Sequence, residues 1–169
     1  MTELDHVWSE MIGNATAAAI REKNHVVLDY LMLRATNDQI RAAGVSWLFD
    51  TASEMAAAAM GSYPHLMVET IEPSSFRHGN SNLVGKTMNF RHGVRCLSLE
   101  AGWTRTPIDG IMRGGALATA RFSHFGIQRA TEIFSLTLSE PSPVWRDGKT
   151  MALVSSDVIE RHFRLLLDV

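Results

Sequence analysis

The residue types best suited to holding a ligand gather in one stretch, Gly102-Trp-Thr-Arg-Thr-Pro-Ile-Asp-Gly-Ile-Met-Arg-Gly-Gly115. Arg105 and Arg113 stand near its two ends, Thr104 and Thr106 add hydroxyls, and Gly110, Gly114 and Gly115 let backbone amides approach a bound group. A guanidinium presents a fixed fork of donors that matches a carboxylate or phosphate, so the chemistry implied is capture of an anion. Neither a GxGxxG nor a Walker pattern is present, and nothing here points to a nucleotide. As an enzyme site the same residues would give a clamp from Arg105 and Arg113, with Asp109 as acid or base and His92 or His124 as proton carrier. No motif fixes a reaction. The competing reading is a flexible hairpin loop with solvated arginines.

Arg91 and His92 are a second candidate pair of ligand-binding residues, within a tetrapeptide that occurs twice: Phe76-Arg77-His78-Gly79 and Phe90-Arg91-His92-Gly93. Two histidines suggest a metal and two arginines an anion. If the strand between them covers Leu83–Phe90, however, its length of roughly 26 Å keeps the copies apart. Two similar turns, each closed by glycine with its aromatic tucked under a sheet, account for the repeat without a shared site.

Seven histidines are present, but none falls into a His-x-His or His-Glu-x-x-His pattern, so no metal and no cofactor is expected. Ser123 and His124 are neighbours on an expected strand and point to opposite faces, which rules out a dyad while the strand is regular. Cys96 and His92 could approach across a turn; a small buried side chain is the simpler reading of Cys96.

The elements that must position these residues follow from periodicity. Thr2 with Asp5 resembles a capping box, and Leu4, Val7, Trp8, Met11, Ile12, Ala15 and Ala19 recur at helical steps. Val26, Val27, Tyr30, Leu31 and Leu33 prolong that helix or begin another after Asn24-His25. Thr36 with Gln39 and Thr51 with Glu54 offer further starts, and Gly61 and Pro64 make a stop. Beyond Pro64 the period shifts towards two, predicting strands at Leu66–Glu72, Leu83–Phe90, Val94–Trp103, Ala116–Phe125, Glu132–Ser139 and Thr150–Val154. Leu97, Leu99, Ala101 and Trp103 share one face of the third strand, and Cys96, Ser98 and Glu100 the other. Asp157 and Glu160 form a capping pair, with Ile159, Phe163, Leu166 and Leu167 making a terminal stripe, although residues 161–169 also suit a final strand.

Helices first and strands afterwards predict an α+β fold: two or three N-terminal helices on a mainly antiparallel sheet, ending in a short helix or final strand. A single domain is expected, helical over 1–62, sheet over 63–155 and terminal over 156–169. A chain of 169 residues, 46% hydrophobic, can bury a core without staples. One cysteine excludes an intrachain disulfide and suits a reducing cytoplasm. The N-terminus has early acids and no basic leader, and the longest uncharged stretch, Met55 to Val68, is interrupted by Gly61 and Pro64, so neither signal peptide nor membrane association is expected.

The net charge of −2 hides a segregation: residues 1–85 sum to −5, residues 86–129 to +5 and residues 130–169 to −2. Six of the seven cations in the middle block are arginine. The expected function is a non-catalytic soluble binding module, a homo-oligomer, that engages a small anion or an acidic partner through the loop at 102–115. An enzyme acting on an anionic substrate is the first alternative. The second is a single-strand nucleic-acid binder using arginines and aromatics of the sheet, against which stand the overall acidity and the lack of lysine-rich patches.

Overall fold

A computed structural model describes residues 3–22, 25–139 and 142–168, with side chains from residue 10 onwards except that of Pro107. Three helices, α1 (Glu3–Arg21), α2 (His25–Met60) and α3 (Ser156–Leu167), accompany six strands. The strands are β1 (Met67–His78), β2 (Ser81–His92), β3 (Arg95–Trp103), β4 (Ala118–His124), β5 (Ile127–Ser139) and β6 (Ser142–Asp147). They form one antiparallel sheet in the order β1-β2-β3-β4-β5-β6, so every strand pairs with its neighbour in sequence. The α+β architecture with its terminal helix is as the periodicity implies.

The chain divides into two compact units, Met1–Ile40 and Arg41–Val169. In the first, Ala19 of α1 and Leu31 of α2 are buried, whereas Met11, expected on the buried stripe, is exposed. The capping box of Thr2 with Asp5 and the side chains of Leu4, Val7 and Trp8 lie outside the described residues.

Residues 25–60 form one helix where separate starts at Thr36 and Thr51 were expected. The reason is local: the Thr36 hydroxyl donates to the Met32 carbonyl at 2.9 Å and the Thr51 hydroxyl to the Trp47 carbonyl at 2.7 Å. Each hydroxyl bonds back by one turn, a geometry a helix interior tolerates, so neither is available as a cap.

In the second unit the core forms where the sheet is covered by the C-terminal part of α2 and by α3. Gly44, Leu48, Ala52 and Ala56 are buried at steps of four, with Phe49 beside them. Facing them are Met88, Phe90, Leu97, Leu99, Ala101, Ala118, Ala120, Phe122, Phe134, Leu136 and Trp145, all buried. The small residues on both sides allow close approach of helix and sheet. Trp145 fixes the contact by donating its indole N–H to the Gly44 carbonyl at 2.9 Å, and a Cβ on Gly44 would meet the Leu136 methyls at 2.7 Å. α3 presents Ile159, His162, Phe163 and Leu166 to the same side, and Phe163 meets Phe90 edge-on with ring centroids 4.9 Å apart. Arg95 holds the far end of α3: its guanidinium donates to the Leu165 carbonyl at 3.1 Å and pairs with Asp168 at 3.0 Å. A cation at a helix C-terminus also complements the helix dipole.

Three strand expectations need correction, the simplest being Glu132–Ser139, since β5 already begins at Ile127. β1 does not stop at Glu72 but continues to His78, with its register shifting between Ile71 and Ser74 around Pro73. As an edge strand it has no second partner needing the missing N–H. The last strand is Ser142–Asp147, not Thr150–Val154; of the latter, Leu153 makes an isolated bridge to Arg146. Pro143 suggests a loop, yet it too sits on an edge strand.

Replacing Trp145 with phenylalanine removes the bond to Gly44 and leaves a small void. We expect a loss of about 1–3 kcal/mol in stability, measured by urea unfolding, with the sheet signature in circular dichroism unchanged.

Candidate functional site

The sheet face opposite the helices carries the polar members of each strand. Cross-strand pairing sets Glu69, Asn89, Ser98 and Ser123 in one row over β1 to β4, with Thr87, Glu100 and Arg121 in the next. Alternation alone requires this: Leu97, Leu99 and Ala101 point into the core, so Cys96, Ser98 and Glu100 point out. Within the first row Ser98 donates to the Asn89 side-chain carbonyl at 2.7 Å. In the second, Arg121 donates to Glu100 at 2.7 Å, stacks over Phe76 with 5.4 Å to the ring centroid, and reaches the Arg77 carbonyl at 3.3 Å. Arg121 is thereby committed to holding β1, β3 and β4 together.

One end of this face is closed by the 102–115 connection, which contains two single-turn 3-10 segments, Pro107–Asp109 and Arg113–Gly115. Beneath it Phe76, Leu83 and Thr119 are buried, and His78, Ser81, Met112, Arg113, Thr119 and Ser135 line a cavity of only about 30 Å³, room for little more than one water molecule. Burial, and then the charges of Arg113 and Arg121, lower the pKa of His78.

The other end is open. A groove of about 630 Å³ lies where the β2–β3 and β4–β5 turns meet, lined among others by Asn89, Arg91, Cys96, Ser98, Ser123 and Phe125. Arg91 is exposed and, unlike Arg95 and Arg121, has neither ion pair nor side-chain hydrogen bond among the described residues. Phe125 and Val94 stand at the turn tips, 81% and 93% exposed, so a guanidinium, hydroxyls and two apolar side chains border one recess.

The six residues singled out from sequence are therefore scattered. Arg105 stacks on Trp103 with 4.1 Å to the ring centroid; Trp103 pairs with Val84 on the helix-covered side and also receives Arg41, at 5.8 Å. Arg113 instead lies over Gly79 on the opposite side. The flanking strands thus do not bring Arg105 and Arg113 onto one face. Thr106 is spent on the loop: its hydroxyl and N–H both donate to Asp109 Oδ2 at 2.9 Å. Those bonds hold the Asp109 carboxyl below the ordinary carboxylate range, which makes it a weak base. Thr104 is half-buried. His92 meets the Tyr63 ring edge-on at 5.3 Å, and Arg91 alone of the six lines the open groove.

The repeated tetrapeptide marks two hairpin turns. Gly79 and Gly93 have φ of +58° and +59°, the left-handed conformation a two-residue turn asks of its first residue. The copies end β1 and β2, and their phenylalanines are both buried. No group of His, Cys, Asp and Glu among the described residues has the geometry of a metal site.

A feature the sequence reading passed over is a pair of buried histidines. His124 Nε2 lies 3.0 Å from His162 Nδ1, and the Phe122 ring stacks on His162 at 4.7 Å. His162 Nε2 approaches Glu132 to 3.4 Å without hydrogen-bond alignment, while Glu132 accepts two bonds from Arg161 at 2.7 and 2.8 Å. Burial lowers the pKa of both histidines, and that of His162, also opposed by His124 and Arg161, falls to about 3. Both are neutral near pH 7, one ring nitrogen donating and the other accepting. The signal was present in the sequence, since His162 shares the helical stripe of Ile159, Phe163 and Leu166.

Comparison with protein-family models, with curated proteins and with solved structures finds no match for this chain.

The histidine pair sets a pH dependence. Below the ordinary value of 6.5 the unfolded chain takes up protons that folded His162 refuses down to about pH 3. Its contribution to stability is therefore complete above about pH 6.5 and lost as pH falls, with a slope of up to about 1.4 kcal/mol per pH unit. His162→Gln should flatten that slope in urea unfolding between about pH 4 and 7. An unchanged slope would show that His162 is not held neutral in the core.

Proposed function

We propose that this chain is a non-catalytic binding module that captures an anionic group on the open sheet face, with Arg91 as the charged contact. The observation that carries the reading is the Arg91 guanidinium, without an ion pair among the described residues, at the edge of a groove whose floor holds Ser123 and the hydrogen-bonded pair of Ser98 and Asn89. Arg95 and Arg121 are tied to carboxylates, and Lys86 lies 3.7 Å from Glu72. An arginine left unpaired retains its full capacity for a bidentate contact.

The flanking Phe125 and Val94 favour a ligand with an apolar portion beside its anionic group, such as an acidic peptide segment. Arg113, at the loop-covered end, extends the positive field along the face and steers an anion towards it. The small-anion reading of residues 102–115 thus passes to Arg91, while Arg105 and Thr106 serve the loop itself. No helix among the described residues is long and apolar enough to cross a membrane, and the lone, half-buried Cys96 suits a reducing cytoplasm.

A thermal-shift series with phosphate, carboxylates, an acidic peptide containing aromatic residues, and a single-stranded oligonucleotide tests the proposal. We expect stabilisation by the peptide that Arg91→Gln reduces about tenfold in apparent affinity and that Arg105→Gln leaves unchanged. Equal loss in both variants would move the site to the loop. A strongly salt-dependent response to the oligonucleotide alone would favour a nucleic-acid partner instead.

A further inference from the structure

We propose that residues 26–40 of α2 pair in parallel with the same segment of a second copy of this chain, forming a short two-stranded coiled coil. The inference is independent of the anion-binding reading and rests on the first unit alone. Val26, Tyr30, Leu33, Asn37 and Ile40 follow one another at steps of four, three, four and three, the repeat that keeps one seam facing a partner helix. At 100° per residue they fall within one narrow stripe, well away from the side on which Leu31 is buried. The start of the stripe is bare: Val26 is 79% exposed, Tyr30 59% and Leu33 61%.

An amphipathic seam of this spacing selects its occupant. A flat or extended partner does not need the three-four alternation, whereas knobs-into-holes packing between helices does. The flanking positions identify the partner further. Asp29 and Arg34 border the seam on opposite sides, five residues apart, so that in a parallel pair of identical helices the acid of each copy meets the base of the other. Antiparallel pairing would set each flank against its own kind, acid against acid. Asn37, the polar member of the seam, would lie opposite its own counterpart only in the parallel, in-register pair, where one buried asparagine fixes register at some cost in stability. Exposed apolar residues elsewhere on the helix, such as Met32, lie off the stripe and play no part in the seam.

The experiment is sedimentation equilibrium of the full chain with three variants. The wild-type chain should sediment at twice its 18.7 kDa mass, with Leu33→Glu weakening self-association at least tenfold and Met32→Glu leaving it unchanged. In a Cys96→Ser background, Val26→Cys should oxidise to a disulfide-linked dimer, because a position at the end of the seam meets its own counterpart in a parallel pair but the opposite end of the seam in an antiparallel one. A chain that stays monomeric at about 100 µM overturns the proposal. So does a dimer equally sensitive to Met32→Glu and Leu33→Glu, or one in which Val26→Cys does not cross-link. Leu33→Glu and Met32→Glu lie outside the groove, so failure of self-association leaves the proposal for Arg91 standing, and loss of ligand binding in Arg91→Gln leaves this one standing.

Discussion

Everything in the second unit depends on one strict constraint, the twofold alternation of the strands against a single apolar cover. Once Leu97, Leu99, Phe122 and Phe134 are committed to α2 and α3, every intervening residue must face away from the core. A register slip of one residue in β3 would bury Glu100 and turn Leu97, Leu99 and Ala101 to solvent, so the register is tightly specified. The same constraint places Asn89, Ser98 and Ser123 in one row and leaves Arg91 beside them. The row of Asn89, Ser98 and Ser123 is therefore a by-product of core formation, whereas Arg121 and Glu100 on the same face also tie the strands together.

Charge follows the same division. The arginine-rich middle block does not act as one basic patch, because its members end in different surroundings. Arg95 caps α3, Arg121 crosses to Glu100, and Arg105 lies on Trp103. An arginine's stem and planar head serve packing as readily as binding, so a count of guanidiniums overstates the ligand-binding surface. Arg91, Arg113 and Arg129 remain outward with no ion pair among the described residues, and of these Arg91 alone lines the open groove, so its position carries more of the functional reading than the block's net charge.

The fold was legible wherever burial and period coincide. Alternation in residues 97–103 and 118–122 marks the two central strands, and the steps of four and three in Ile159, Phe163 and Leu166 mark α3. The periodicity misleads where a local rule meets a compensating environment: Thr36 and Thr51 look like caps but bond back within a continuous helix, and the strand expected to end at Glu72 runs on through Pro73 because it lies at the sheet edge. The site was less legible, because sequence proximity within 102–115 does not determine on which side of the sheet each end of a connection settles. Trp103, by drawing Arg105 to the helix-covered side, separates it from Arg113. The histidine pair escaped notice because His124 and His162 are 38 positions apart and meet only through packing of α3 on β4.

The central claim is that the ligand-binding surface is the open groove and not the glycine-rich loop. Amide chemical-shift mapping by nuclear magnetic resonance, with an acidic peptide titrated into the labelled full chain, reads this position by position. The account predicts saturating shifts confined to Arg91, Cys96, Ser98, Ser123 and Phe125. Shifts centred on Thr104, Arg105 and Thr106, with the groove silent, would contradict it.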